Sequence, residues 1–201
     1  MASKVDICNK ALLLLGQDAI MSINDNSPRA RVCFQEFESA LDATLRSYPW
    51  PFATRRAALA RLQETPEFGY TYYYAVPADC LRIIELSTNS NGSVYDTGFD
   101  SSSGYQVKKP YELENGKVAT DEDAIFIRYI FKVKPEYLDQ QTVDVVATKM
   151  AATLAITLTE NQELKQLLLA EYKANLAEAR NTWAVEDYPQ IPLEGPWLRS
   201  R

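Results

Sequence analysis

The chemistry open to this chain is bounded first by a residue it lacks. Its 201 residues include no histidine, which removes Ser–His–Asp and Cys–His catalysis, a histidine proton shuttle and every His-containing zinc site. Cys8, Cys33 and Cys80 lie far apart among apolar neighbours and form no Cys-x-x-Cys unit. They read as free, buried thiols of a protein made in a reducing cytoplasm, small hydrophobes rather than ligands. The seven glycines never fall into a phosphate-cradling pattern, so no nucleotide site is signalled. Asp121-Glu122-Asp123 offers oxygen ligands for a hard cation without the alternating spacing of a calcium loop, and reads as a solvated turn before a strand. No cofactor, no metal and no catalytic residue is expected. Paired carboxylates for glycoside cleavage stay open, since the chain has 27 acids, but spacing marks out no particular pair.

Two stretches are better suited to contact than to catalysis. Tyr48-Pro-Trp-Pro-Phe-Ala-Thr-Arg-Arg-Ala-Ala-Leu59 contains no acid, and its Arg55-Arg56 is an adjacent arginine pair. Trp50 and Phe52 either plug the end of a helical bundle while Arg55 and Arg56 pair with acids, or all four side chains meet another subunit. The second stretch is the tail, Tyr188-Pro189-Gln-Ile191-Pro192-Leu193-Glu-Gly-Pro196-Trp197-Leu198-Arg199-Ser-Arg201. Its prolines forbid helix and favour an extended, polyproline-like arm. Such an arm cannot bury Ile191, Leu193, Trp197 and Leu198 against itself, so they either fold back or dock on another chain. Stiff prolines lower the ordering cost of docking.

The elements that position these stretches follow from periodicity. Ile7, Ala11, Leu12, Leu14 and Leu15 give one apolar helix face, and Gly16 supplies the stop. Ser27-Pro28 opens a second helix, with Ala30, Cys33, Phe34, Phe37, Ala40, Leu41, Thr44 and Leu45 on its face. Leu81–Leu86 and Ala124–Phe131 carry the β-branched and aromatic content of strands. Between them, short strands are expected around Val94-Tyr95, Tyr105–Val107 and Lys117–Ala119, with turns at Asn91-Gly92 and Asn115-Gly116. The apolar series Val143, Val146, Ala147, Met150, Ala151, Leu154, Ala155, Leu158 predicts a third helix over 139–159. Leu164, Leu167, Leu168, Tyr172, Leu176 and Ala179 predict a fourth to about Val185. The fold class expected is α+β, mainly α: a four-helix bundle formed by the N- and C-terminal helix pairs, with a β-hairpin or small antiparallel sheet insertion and an extended C-terminal arm. In domain terms this is one domain over 1–187, with helices in 3–48 and 139–185 and a β-rich insertion at about 70–135, followed by the arm 188–201.

The formal charge of −6 argues against reading DNA through phosphate contacts, which needs clustered Lys and Arg. The N-terminus carries no long apolar run, and the weakly charged stretch Met150–Leu158 falls short of a membrane span. A soluble protein without a membrane partner is expected.

Ile7-Cys-Asn-Lys-Ala-Leu-Leu-Leu-Leu-Gly16, Ile20-x-Ser22 and Asp25-x-Ser27 resemble the opening of the phage tail tubular protein A family, the head-to-tail adaptors of short-tailed phages. Leu45-Arg-Ser-Tyr-Pro-Trp-Pro-Phe-Ala-Thr-Arg-Arg56, Tyr72-x-Tyr74-x-x-Pro77-x-Asp79-Cys-Leu-Arg82 and Ile127-Arg-Tyr-Ile130 fit the same pattern, and the resemblance runs on through the two C-terminal helices. It implies a ring, usually of twelve subunits, seated between the portal protein and the tail nozzle protein at the head–tail junction of the virion. The helices would form its wall, the β-rich part would face the tail, and the C-terminal segment would reach the portal. DNA would pass through the lumen without sequence-specific binding, repelled by an acidic wall. Two other functions fit the residues: a virion-associated cell-wall hydrolase using two carboxylates, and a monomeric peptide- or glycan-binding module with a groove lined by Tyr70, Tyr72, Tyr73 and Tyr74.

Overall fold

The computed structural model describes residues 2–88 and 111–186. They form an α+β fold with four helices and two three-stranded antiparallel sheets. The helices are α1 (Lys4–Leu14), α2 (Pro28–Ser47), α3 (Gln140–Thr159) and α4 (Gln162–Glu186). The strands are β1 (Thr54–Ala58), β2 (Tyr72–Ala75), β3 (Cys80–Ser87), β4 (Glu112–Glu114), β5 (Lys117–Thr120) and β6 (Phe126–Phe131). Contacts divide the chain into two units. Of the described residues, one takes in 2–3, 35–88 and 111–138 and the other 4–34 and 139–186, so the boundary falls inside α2.

In the helical unit α3 packs against both α1 and α4. Its burial extends well beyond one stripe: Thr142, Val145, Thr148 and Ala152 are buried beside the expected Val143, Val146, Met150 and Ala155. The helix is long and apolar enough to cross a membrane by length and composition, but 61% of the qualifying window is buried inside the protein. That is the pattern of a core helix. Polar ends are satisfied locally. Ser27 Oγ accepts from Ala30 N–H at 3.1 Å to cap α2, Asp139 caps α3 through Gln141 N–H, and Asn161 Oδ1 accepts from Leu164 N–H at 3.0 Å to open α4. The loop after α1 is held by Asn9, whose amide donates to Ile20 O at 3.0 Å and accepts from Ile20 N–H at 2.8 Å. Asp25 Oδ2 accepts from the N–H groups of both Met21 and Ser22. Lys10 pairs with Asp144 of α3. Cys8 and Cys33 are buried in this unit, and their mutual hydrogen bond, then burial, pushes the Cys8 thiol far above its ordinary range. Cys80 is only half-buried, at the start of β3, so the expectation of three buried thiols holds for two.

Helical periodicity overreached at two positions. Phe34 is 60% exposed and Leu167 is 64% exposed, although both fall on the apolar stripes of their helices. Each lies at the margin of its stripe, where neighbouring buried residues such as Cys33 and Leu168 occupy the packed side.

In the strand unit one sheet runs β1-β6-β3 and the other β2-β5-β4. β6 is the centre of the first, and Ile127, Tyr129 and Ile130 are buried. β3 and β6 match the strands expected at Leu81–Leu86 and Ala124–Phe131, the latter starting at Phe126. Asn115-Gly116 makes the expected turn, with φ of 46° and 74°, the left-handed pair a tight β4–β5 hairpin requires. Tyr74, Val118 and Ile125 form a small core, with Leu59, Tyr72, Ile83 and Tyr111 packed on it. The strands expected near Val94 and Tyr105, and the turn at Asn91-Gly92, lie outside the described residues.

Replacing Ile130, fully buried on the central strand, by alanine should cost about 2–5 kcal/mol. Urea denaturation should show this as a lower midpoint at unchanged slope.

Candidate functional site

The segment singled out for contact leaves α2, makes a short 3-10 turn at Pro51–Ala53 and enters β1. Proline on either side of Trp50 fixes this path, because the residue before a proline is held extended; Trp50 itself has φ −56° and ψ 126°. Its side chain is completely buried. The indole Nε1 donates to Thr44 O at 3.1 Å, and Thr54 Oγ1 donates to Trp50 O at 2.7 Å. Tyr48 meets the indole edge-on at 5.0 Å and Phe52 stacks on it at 6.0 Å. Trp50 therefore offers no side-chain surface to a second subunit. Its place among the expected contacts is corrected to that of an internal plug, because an indole N–H seated on a helix-end carbonyl satisfies both groups inside one chain. Phe52 is half-buried, while Arg55 and Arg56 are exposed.

The two arginines part company. Arg55 Nη1 lies 3.1 Å from Asp79 Oδ2, and its guanidinium sits 3.9 Å over the Phe131 ring. Asp79 Oδ1 also accepts from the Tyr129 hydroxyl at 3.2 Å, and Tyr129 stands directly opposite Arg55 in the β1–β6 register. Burial, with Asp79 adding to it, raises the Tyr129 phenol above its ordinary ionisation range. Arg56 faces Arg128 across the same pair of strands. Arg128 is neutralised by Glu85 at 3.3 Å, whereas Arg56 has no side-chain partner among the described residues. Two further ties join α2 to the first sheet. Lys132 reaches Glu38 at 2.7 Å and Asp42 at 3.2 Å, and those carboxylates raise its ammonium pKa. Arg46 donates to Leu81 O, and Arg82 Nη1 donates to Arg46 O at 3.0 Å.

Of the tyrosine cluster, Tyr74 is buried and its hydroxyl donates to Glu122 O at 2.7 Å. Tyr72 lies under the Arg61 guanidinium at 3.4 Å. Only Tyr70 and Tyr73 line an open cleft, which they share with Glu67, Phe68, Glu112, Glu114 and Asp121. Sequence reasoning marked Asp121 only as part of an acidic turn and missed Glu67, Glu112 and Glu114. The signal was Glu112-x-Glu114, two carboxylates on one face at strand spacing. The arm carrying Tyr188, Pro189, Ile191, Pro192, Leu193, Pro196, Trp197, Leu198 and Arg199 lies outside the described residues. Among the described residues no group of three or more Cys, Asp or Glu is placed to hold a metal ion.

No family model matches the chain, and no curated protein does.

Trp50→Ala should cost about 3–5 kcal/mol, whereas Arg56→Ala should stay within about 0.5 kcal/mol; thermal or urea unfolding distinguishes them. The raised Tyr129 value implies a loss of stability in alkali. The unfolded chain ionises at its ordinary value near 10.0 before the folded chain does, so Tyr129's contribution is complete below that pH and is lost as pH rises through the folded value. Urea midpoints measured between pH 8 and pH 11 should fall less in Tyr129→Phe than in the unaltered chain.

Proposed function

We propose that the chain is a structural virion protein, a head-to-tail adaptor of a short-tailed phage. It assembles as a ring of twelve at the head–tail junction, joins the portal protein to the tail nozzle protein, and performs no bond-breaking. The observation that carries this reading is where the family-like segments fall. Several of their side chains tie turns and elements together: Asn9 on Ile20, Asp25 on Met21 and Ser22, Ser27 at the start of α2. Farther along, Trp50 closes the end of α2 and Asp79 holds Arg55 and Tyr129.

In this reading the N- and C-terminal helix pairs form a four-helix bundle that makes the ring wall. The sheets form the insertion facing the tail, and the extended arm 188–201 seats Trp197 and its apolar neighbours on the portal. Subunit contacts use Phe52, Arg55 and Arg56. They also bury some of the large apolar side chains that a single chain leaves in water, among them Leu13, Met21 and Phe34, the methionine 93% exposed. The negative net charge keeps DNA phosphates from adhering during passage. The protein is made in the bacterial cytoplasm and works without cofactor or membrane.

Electron microscopy of the chain mixed with portal rings tests the assignment. The expected image is an added collar of twelve subunits on the portal face. Deleting residues 188–201 should leave circular dichroism and melting unchanged and weaken portal attachment at least tenfold. Failure to bind portal, or clearing of peptidoglycan by a monomer, would replace the adaptor reading.

A further inference from the structure

The cleft at the end of the second sheet encloses about 540 Å³ and is walled by Phe68, Tyr70 and Tyr73 with four carboxylates around them. Phe68 is 88% exposed, an aromatic ring held in water at the rim of a cavity. The acids differ in what they already hold. Glu114 Oε2 accepts from the Tyr73 hydroxyl at 2.7 Å, and Asp121 Oδ1 accepts from Thr71 N–H and Oγ1. These bonds fix one ring and one side of the cleft. Lys117 lies nearby, 5.1 Å over the Tyr73 ring, but is taken by Glu64 at 2.5 Å. Glu67 and Glu112 have no side-chain partner among the described residues. Aromatic faces beside unpaired carboxylates are the surroundings that a guanidinium fills best, because it stacks flat and offers five donors.

The strand unit contains a matching group. Of its described arginines, Arg46, Arg55, Arg61, Arg82 and Arg128 each have a carbonyl, carboxylate or ring partner. Arg56 is exposed, stands opposite another arginine and has none. Its strand, β1, is an outer strand of its sheet.

We propose that the cleft receives the guanidinium of Arg56 from a second copy of the chain, held by Glu67 and Glu112 against the aromatic wall. The inference rests on the ring reading and deepens it. Donor and acceptor are different surfaces, so the contact is head-to-tail, the type that closes into a cyclic assembly.

Two measurements test it. A peptide of residues 52–60 is titrated into the full chain while the Tyr70 and Tyr73 ring signals are followed by NMR. Saturable shifts are expected, at least tenfold weaker for the Glu67→Gln/Glu112→Gln chain and for a peptide carrying Arg56→Gln. No saturation, or equal binding by both variants, overturns the proposal. Ring formation on portal is then compared for the unaltered chain, Arg56→Glu, Glu112→Arg and an equimolar mixture of the two. Loss of rings in each single variant and recovery in the mixture support the contact; rings undiminished in both variants overturn it and leave the adaptor reading intact. Saturable peptide binding by an unaltered chain that forms no ring would instead retire the adaptor reading while supporting the cleft as an arginine site.

Discussion

A helix that stops inside a protein leaves carbonyls without partners, and a buried indole brings an N–H that needs one. Thr44 O meets the indole's need at 3.1 Å while also accepting from the Ser47 hydroxyl at 2.7 Å, and the chain enters the first sheet from that point. The flanking prolines deliver the chain to it in an extended path, and the 3-10 turn that follows hands the chain directly to β1. β1 then pairs along its length with β6, the strand on which the first sheet is centred. Moving Trp50 would release the helix end, the turn and the entry of β1 together.

A second layer of order comes from polar side chains placed between elements. Asp79 precedes β3 yet spends one oxygen on β1 and the other on β6. Lys132, just beyond β6, gathers two carboxylates of α2. Singly, such half-exposed pairs contribute little. Together they select one register and one helix rotation from several that apolar packing would accept.

The helices were legible because a 3.6-residue period repeats over many residues and its caps are chemically distinctive; Ser27, Asp139 and Gly16 all sit at or next to helix ends. The period could not say how deep each stripe sits, so Phe34 and Leu167 stand in water. β3 and β6 announced themselves through Ile, Phe and Tyr. β1 did not, since Thr-Arg-Arg-Ala-Ala has little strand preference of its own and is extended because β6 supplies a partner. In the contact segment, composition singled out four residues without dividing their labour. Only the fold shows that Trp50 faces inward, that Arg55 is spent on Asp79 and that Arg56 has no side-chain partner among the described residues. That Glu112 and Glu114 stand beside Tyr73 could not be read in advance, because β4 reaches β2 only through the pairing of each with β5.

The pairing of β3 with β6 slips twice, between Cys80 and Arg82 and again between Ile83 and Glu85. Each slip adds a residue to one strand, bends it and sharpens its twist. A straight margin so rich in isoleucine and leucine would invite further strands to zip onto it. The crooked margin makes indefinite stacking geometrically awkward. The backbone path of β3, more than its largely half-buried side chains, is what makes this edge a poor template for strand addition.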